Sequence, residues 1–244
     1  MRRWLPFLAG LAMVAALGPP AVAARKANKT DIVWQAADFA SYDIRSIALL
    51  PAATYDNSVD ARRQTETVVG QVLHGTGHRW VSTLVTRDQV VRDGGDSLLR
   101  AFTQNVLRTG RLDSLDAPRF SRATRARALL TVRVDRFERM ELPFDQSGKP
   151  TTTVQLTAAL VDSTGRLLWT ASGSETAEGT YQDASTNTLG VKASGLNNQP
   201  ITNQGGPPTY AETLTRLITR WLPDFPARRA AAPAPDSSSA APSK

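Results

Sequence analysis

Along this chain the apolar positions change period several times, and each change marks an element. Residues 44–51 read Ile-Arg-Ser-Ile-Ala-Leu-Leu-Pro, a nearly continuous apolar run stopped by Pro51. That is the pattern of a buried strand. Over 60–74, Val68, Val69, Val72 and Leu73 recur at three- and four-residue spacing. This predicts a helix, with Gly75 and Gly77 as its terminators. Trp80 to Val85 is rich in β-formers and predicts a second strand. Thr86-Arg87-Asp88 reads as a turn into a short helix that Gly94-Gly95 ends. Residues 96–108 set Leu98, Leu99, Phe102, Val106 and Leu107 on one face of a further helix. A shorter helix over 114–124 is interrupted by Pro118.

The second half of the chain switches to alternation. Leu129 to Met140, Thr152 to Val161 and Arg166 to Ser174 read as three strands. Pro143 to Pro150 is one turn between them. Asp162-Ser163-Thr164-Gly165 is another, with glycine where φ can be positive. These strands predict an antiparallel meander. Residues 180–208 then carry Asn, Gly, Ser, Thr and Gln with no periodicity. Loops of this length are uncommon in compact domains and often functional. Thr209 caps a last helix, and Glu212 is placed to complete a capping box. Tyr210, Leu214, Leu217, Ile218 and Trp221 form its apolar stripe, and Pro223 stops it. The order of elements predicts one α/β domain over residues 31–226. Its sheet is mixed and mostly antiparallel, packed with helices.

The two ends read differently. Met1-Arg2-Arg3 is followed by an apolar run from Trp4 to Leu17, the breaker Gly18-Pro19-Pro20, and small residues at Ala21 to Ala24. This is the order of a secretory signal peptide over residues 1–24, cleaved near Ala23 or Ala24. The apolar run is too short for a membrane span, which needs about 20 residues. Residues 227–244 are Ala, Pro and Ser with two arginines and nothing large to bury, so a disordered tail is expected. The expected location is the periplasm.

Charge and composition narrow the chemistry. The chain has no cysteine. That excludes disulfides, thiolate catalysis, zinc–thiolate sites and lipid attachment at a cysteine. Lys and Arg number 29 against 22 acidic residues, a net charge of +7. The basic residues are scattered rather than striped with aromatics, which argues against nucleic acid. They leave room for contact with anionic lipid headgroups or cell-wall polymers. His74 and His78 have a metal-like four-residue spacing, but Gly75 and Gly77 break the helix that would align them. No serine elbow, dinucleotide fingerprint or phosphate loop is present, so no cofactor is expected. Asp135, Glu138 and Glu141 could serve as paired carboxylates. On an alternating strand they read more simply as a solvated face.

Several segments carry a family resemblance. They are Ile47-Ala48-Leu49-Leu50-Pro51, the stretch from Gly77 to Arg87, Ala128 to Val134, and Leu160-Val161-Asp162-Ser163-Thr164-Gly165-Arg166-Leu167-Leu168-Trp169. Together the chain resembles the CsgG-like and LpoB-like envelope proteins, which are related in fold to the N-terminal domain of TolB. The resemblance implies an α/β domain with a mixed sheet and a role in the envelope through protein contacts. Family members include a secretion-channel subunit and activators of cell-wall synthases. It supplies no catalytic residues, and the missing cysteine departs from its lipid-anchored members.

The expectation for function is therefore a non-catalytic periplasmic or outer-membrane-associated protein that binds protein partners in envelope assembly or secretion. A cell-wall or polysaccharide hydrolase is the competing reading, and an oligomeric secretion-channel component is a third. The expected partner surface is loop 180–208, with Tyr181, Asn187, Asn197, Asn198 and Tyr210. Tyrosine suits this role because it joins apolar area to a polar tip.

Overall fold

The computed structural model describes residues 31–143, 146–181 and 206–226. In chain order the elements are β1 (Ile32–Gln35), β2 (Ser46–Leu49), β3 (Ala53–Thr54), α1 (Val59–Leu73), β4 (Arg79–Val81) and α2 (Thr83–Thr109). There follow α3 (Ala117–Thr124), β5 (Ala128–Met140), β6 (Thr151–Asp162), β7 (Leu167–Glu178) and α4 (Tyr210–Trp221). The strands join one sheet of order β1-β7-β6-β5-β2-β4, with β3 pairing beside β5. β2 runs parallel to β4 and β5, and β3 runs parallel to β5. β5, β6, β7 and β1 pair antiparallel. The fold is thus α/β with a mixed, mostly antiparallel sheet, and the predicted meander is β5–β6–β7.

Alternation along the strands sends apolar side chains to two helical layers. On one face α1 and α4 cover β5, β6 and β7. Val68 and Val69 meet Leu130 and Val132 there, and Leu214, Leu217 and Trp221 meet Leu156 and Trp169. On the other face α2 and α3 cover β2 and the start of β5, with Phe102, Val106 and Phe120 against Ala48, Leu50 and Leu129. Each such large side chain contributes about 1.5–3 kcal/mol by leaving water. Further along β6 and β7 the second face carries hydroxyls instead. Thr153 and Thr176 lie 3.0 Å apart, and Thr157 and Ser172 3.3 Å apart. Cross-strand polar pairs replace apolar packing in that region.

Several expectations need correction. The strand predicted over Trp80 to Val85 ends at Val81, and α2 begins at Thr83. β4 is an edge strand with three residues registered on β2, so β-propensity beyond that register has no partner to act through. Leu84 consequently lies on the outside of a helix, 76% exposed. The break at Gly94-Gly95, by contrast, is where it was expected: Gly95 takes the non-helical φ 69° and ψ −178°, so α2 is two helices joined at a kink. Pro118 lies in the first turn of α3, where its missing N–H costs nothing, so it starts that helix. The edge strand β1 is an element the periodicity did not single out. Asp135 is not on a solvated face: it pairs with Arg133 at 2.5 Å and accepts from the Thr157 hydroxyl at 2.6 Å. Glu138 is exposed, and its partner is Arg136.

His78 stands where a metal ligand was weighed. It is buried, with Nδ1 2.9 Å from the Ile44 carbonyl and Nε2 2.7 Å from the Pro226 carbonyl. The ring ties the entry of β2 to the far end of the described chain. Among the described residues no group of three potential metal ligands occurs.

Candidate partner-binding surface

The long loop leaves β7 and returns to α4 at one place. Gly179 donates its N–H to the Pro150 carbonyl at 2.7 Å. A Cβ built on Gly179 would lie 2.8 Å from the Gly206 carbonyl oxygen, so the outgoing and returning chains touch. The returning segment is stitched to the meander. Arg139 donates to the Pro207 carbonyl at 3.3 Å, and the Thr152 hydroxyl donates to the Pro208 carbonyl at 2.5 Å. The Thr209 hydroxyl then accepts from the Glu212 N–H at 3.2 Å, the predicted cap. The Glu212 carboxylate turns to Arg216 instead of closing a capping box.

Of the five residues expected at this surface, two are described. Tyr181 is exposed beside the loop base. It sits at the end of the sheet where Met140, also exposed, pairs with Thr151, which in turn pairs with Glu178. Tyr210 is half-buried, its ring stacked on Phe137 at 3.8 Å between centroids and 13° between planes. Burial raises its hydroxyl pKa against the opposing charge of Arg139. Its ring is committed to the scaffold, and it supports the surface more than it presents one. Asn187, Asn197 and Asn198 lie outside the described residues.

A second feature was not anticipated from the sequence. β2 and β4 are parallel neighbours, yet the chain leaves β2 for α1 on one face and β4 for α2 on the other. Connections that diverge this way open a crevice at the carboxyl ends of the strands, where open α/β sheets take their ligands. Here the crevice holds two adjoining cavities of about 850 and 400 Å³. Arg62, Glu66, Thr83, Leu84 and Arg87 line both. Leu49, Val59 and Trp80 add apolar lining to the larger one, and Arg63 adds a further cation.

No protein-family model matches the chain, and no curated protein matches it. Among solved structures it is similar to the PelC dodecamer from Paraburkholderia phytofirmans. Identity there is 20%, over 60% of this chain and 81% of that one, with a TM-score of 0.36. It is also similar to lipoprotein GNA1162 from Neisseria meningitidis, at 19% identity over 61% of this chain and 93% of that one, TM-score 0.37. The hypothetical protein CT253 from Chlamydia trachomatis matches at 9% identity over 55% and 72%, TM-score 0.37. None of the three bears the CsgG, LpoB or TolB name. At these values the likeness carries no argument about what the chain does.

Glu66 holds the crevice together from below. Its carboxylate accepts the Ala52 N–H at 2.9 Å. Burial pushes the carboxyl pKa above its ordinary 4.5, against the Ala52 bond and the nearby Arg62 and Arg87 charges. A carboxyl with a raised folded-state pKa favours folding most while protonated. That contribution is lost as pH rises from the unfolded value of 4.5 through the raised folded value. Glu66→Gln keeps an oxygen for Ala52 and removes the buried charge. Its stability relative to wild type should therefore improve between about pH 4 and about pH 7. Urea unfolding at the two pH values measures this, and an unchanged difference would contradict it.

Proposed function

We propose that this chain is a non-catalytic protein of the bacterial envelope, periplasmic or associated with the outer membrane. It acts by binding a protein partner in envelope assembly or secretion. The partner surface is the loop spanning 180–208 together with Tyr181. The observation that supports this reading is the closed, stitched base of that loop, Gly179 against Gly206 with Arg139 and Thr152 holding the return. A rigid base presenting a long polar segment is how scaffolds display binding loops.

A photo-crosslinking residue at Tyr181 in intact cells should trap a discrete envelope protein. Because the loop ends touch, deleting residues 183–205 should abolish that capture and leave the thermal midpoint nearly unchanged. Undiminished capture after the deletion would reject the surface. Light scattering on the purified chain separates a ring-forming channel component from a binding factor.

A further inference from the structure

The crevice between α1 and the start of α2 plays no part in the loop surface. Its charge is unbalanced. Arg62, Arg63 and Arg87 face it with Glu66 as the carboxylate among its lining. Among the described residues none of these three arginines makes an ion pair, so their forks are open to a ligand. Its mouth is apolar. Val59 is 67% exposed and Leu84 76% exposed, one on each side of the same cavity. Trp80 and Leu49 continue the apolar lining inward. An exposed valine and leucine thus rim the same cavity that three guanidiniums line, an apolar edge beside a cationic patch. Arginine forks match phosphate oxygens in pairs, and apolar residues beside them suit the first carbons of an acyl chain. A cavity of about 850 Å³ falls in the range of small-ligand sites.

We propose that this crevice binds a single anionic phospholipid, with Arg62 and Arg87 pairing its phosphate and Val59 and Leu84 meeting its acyl chains. The site is independent of partner capture by the loop, so either can fail alone.

Monomeric dihexanoyl-phosphatidylglycerol, below its micelle concentration, is titrated into the full chain by calorimetry. Dihexanoyl-phosphatidylcholine and inorganic phosphate are the comparison probes. The glycerol lipid should bind at least about tenfold more tightly than either, since net charge and apolar contact both contribute. The double variant Arg62→Gln/Arg87→Gln should weaken it by about tenfold or more at an unchanged melting temperature. Leu84→Ser should bring its affinity towards that of inorganic phosphate and leave phosphate binding alone. Glu66→Gln should tighten it by removing the opposing charge. Equal binding of all three probes, or phosphate binding as tightly as the lipid, would overturn the proposal. So would a double variant that binds like wild type.

Discussion

Replacing Arg220 with alanine should lower the unfolding free energy by about 3–5 kcal/mol, among the largest effects of any single change in this protein. From α4, its guanidinium donates to Asp31 through Nε at 2.8 Å and through Nη2 at 3.0 Å. It also pairs with Glu175 on β7 and donates to the Ser174 carbonyl at 2.9 Å. The Asp31 and Glu175 side chains are only 9% and 16% exposed. Without the arginine, two poorly hydrated carboxylates face each other across the junction of β1, β7 and α4. Repulsion and desolvation then act together. Arg220→Lys should recover only part of the loss, because one ammonium cannot replace a planar fork that reaches three partners. Adding Asp31→Asn and Glu175→Gln to Arg220→Ala should restore much of it, since the cost lies in the orphaned charges. Urea unfolding at neutral pH measures all three. A loss below about 1 kcal/mol for the alanine variant would show that the cluster is hydrated like a surface pair.

Gly165→Ala should be the second severe change, at about 2–4 kcal/mol. Gly165 sits at φ 87° in the turn between β6 and β7, a region that costs a residue with a Cβ about 1 kcal/mol or more. Space is the larger problem. A Cβ there would press on the Ser114 backbone, 2.8 Å from its nitrogen, and backbone cannot rotate away. The turn is otherwise well made, with the Asp162 carboxylate accepting from the Thr164 and Arg166 N–H groups. The substitution should therefore separate the hairpin tip from the segment joining α2 to α3. Gly70→Ala is the matched control. That glycine lies within α1 with nothing within 4 Å of a built Cβ. The same substitution there should stabilise by about 0.5–1 kcal/mol. Thermal unfolding of the pair should give shifts of opposite sign. Shifts of the same sign would mean that the Ser114 contact is not limiting.

These two residues show how far the chain could be read directly. Gly165 was legible as a turn residue, because the backbone of a tight turn requires positive φ whatever surrounds it. The Ser114 contact that makes it irreplaceable was not legible, because 51 positions separate the two residues in the chain. Arg220 showed itself only as a charge off the apolar stripe of α4. Its partner Asp31 lies 189 residues away, and no local pattern joins them. Of the residues expected at the partner surface, Tyr181 is exposed beside the loop base. Tyr210 was legible as an aromatic at a helix start, but its stack on Phe137 depends on how β5 passes beneath that helix.

Period and turn chemistry determined, from the sequence by itself, the meander, the first and last helices, the cap at Thr209 and the α/β class. Each is a consequence of neighbours within a few residues. The tertiary structure alone decided where β4 stops, because pairing to β2 ends its register and leaves Leu84 to a helix. It also decided that α1 and α2 part to opposite faces of two adjacent parallel strands. That divergence brings Arg62 and Arg63 of α1 and Arg87 of α2 into the lining of one crevice. Local periodicity reports which face of an element is apolar; it carries no information on which distant element that face, or the charged one opposite, will meet.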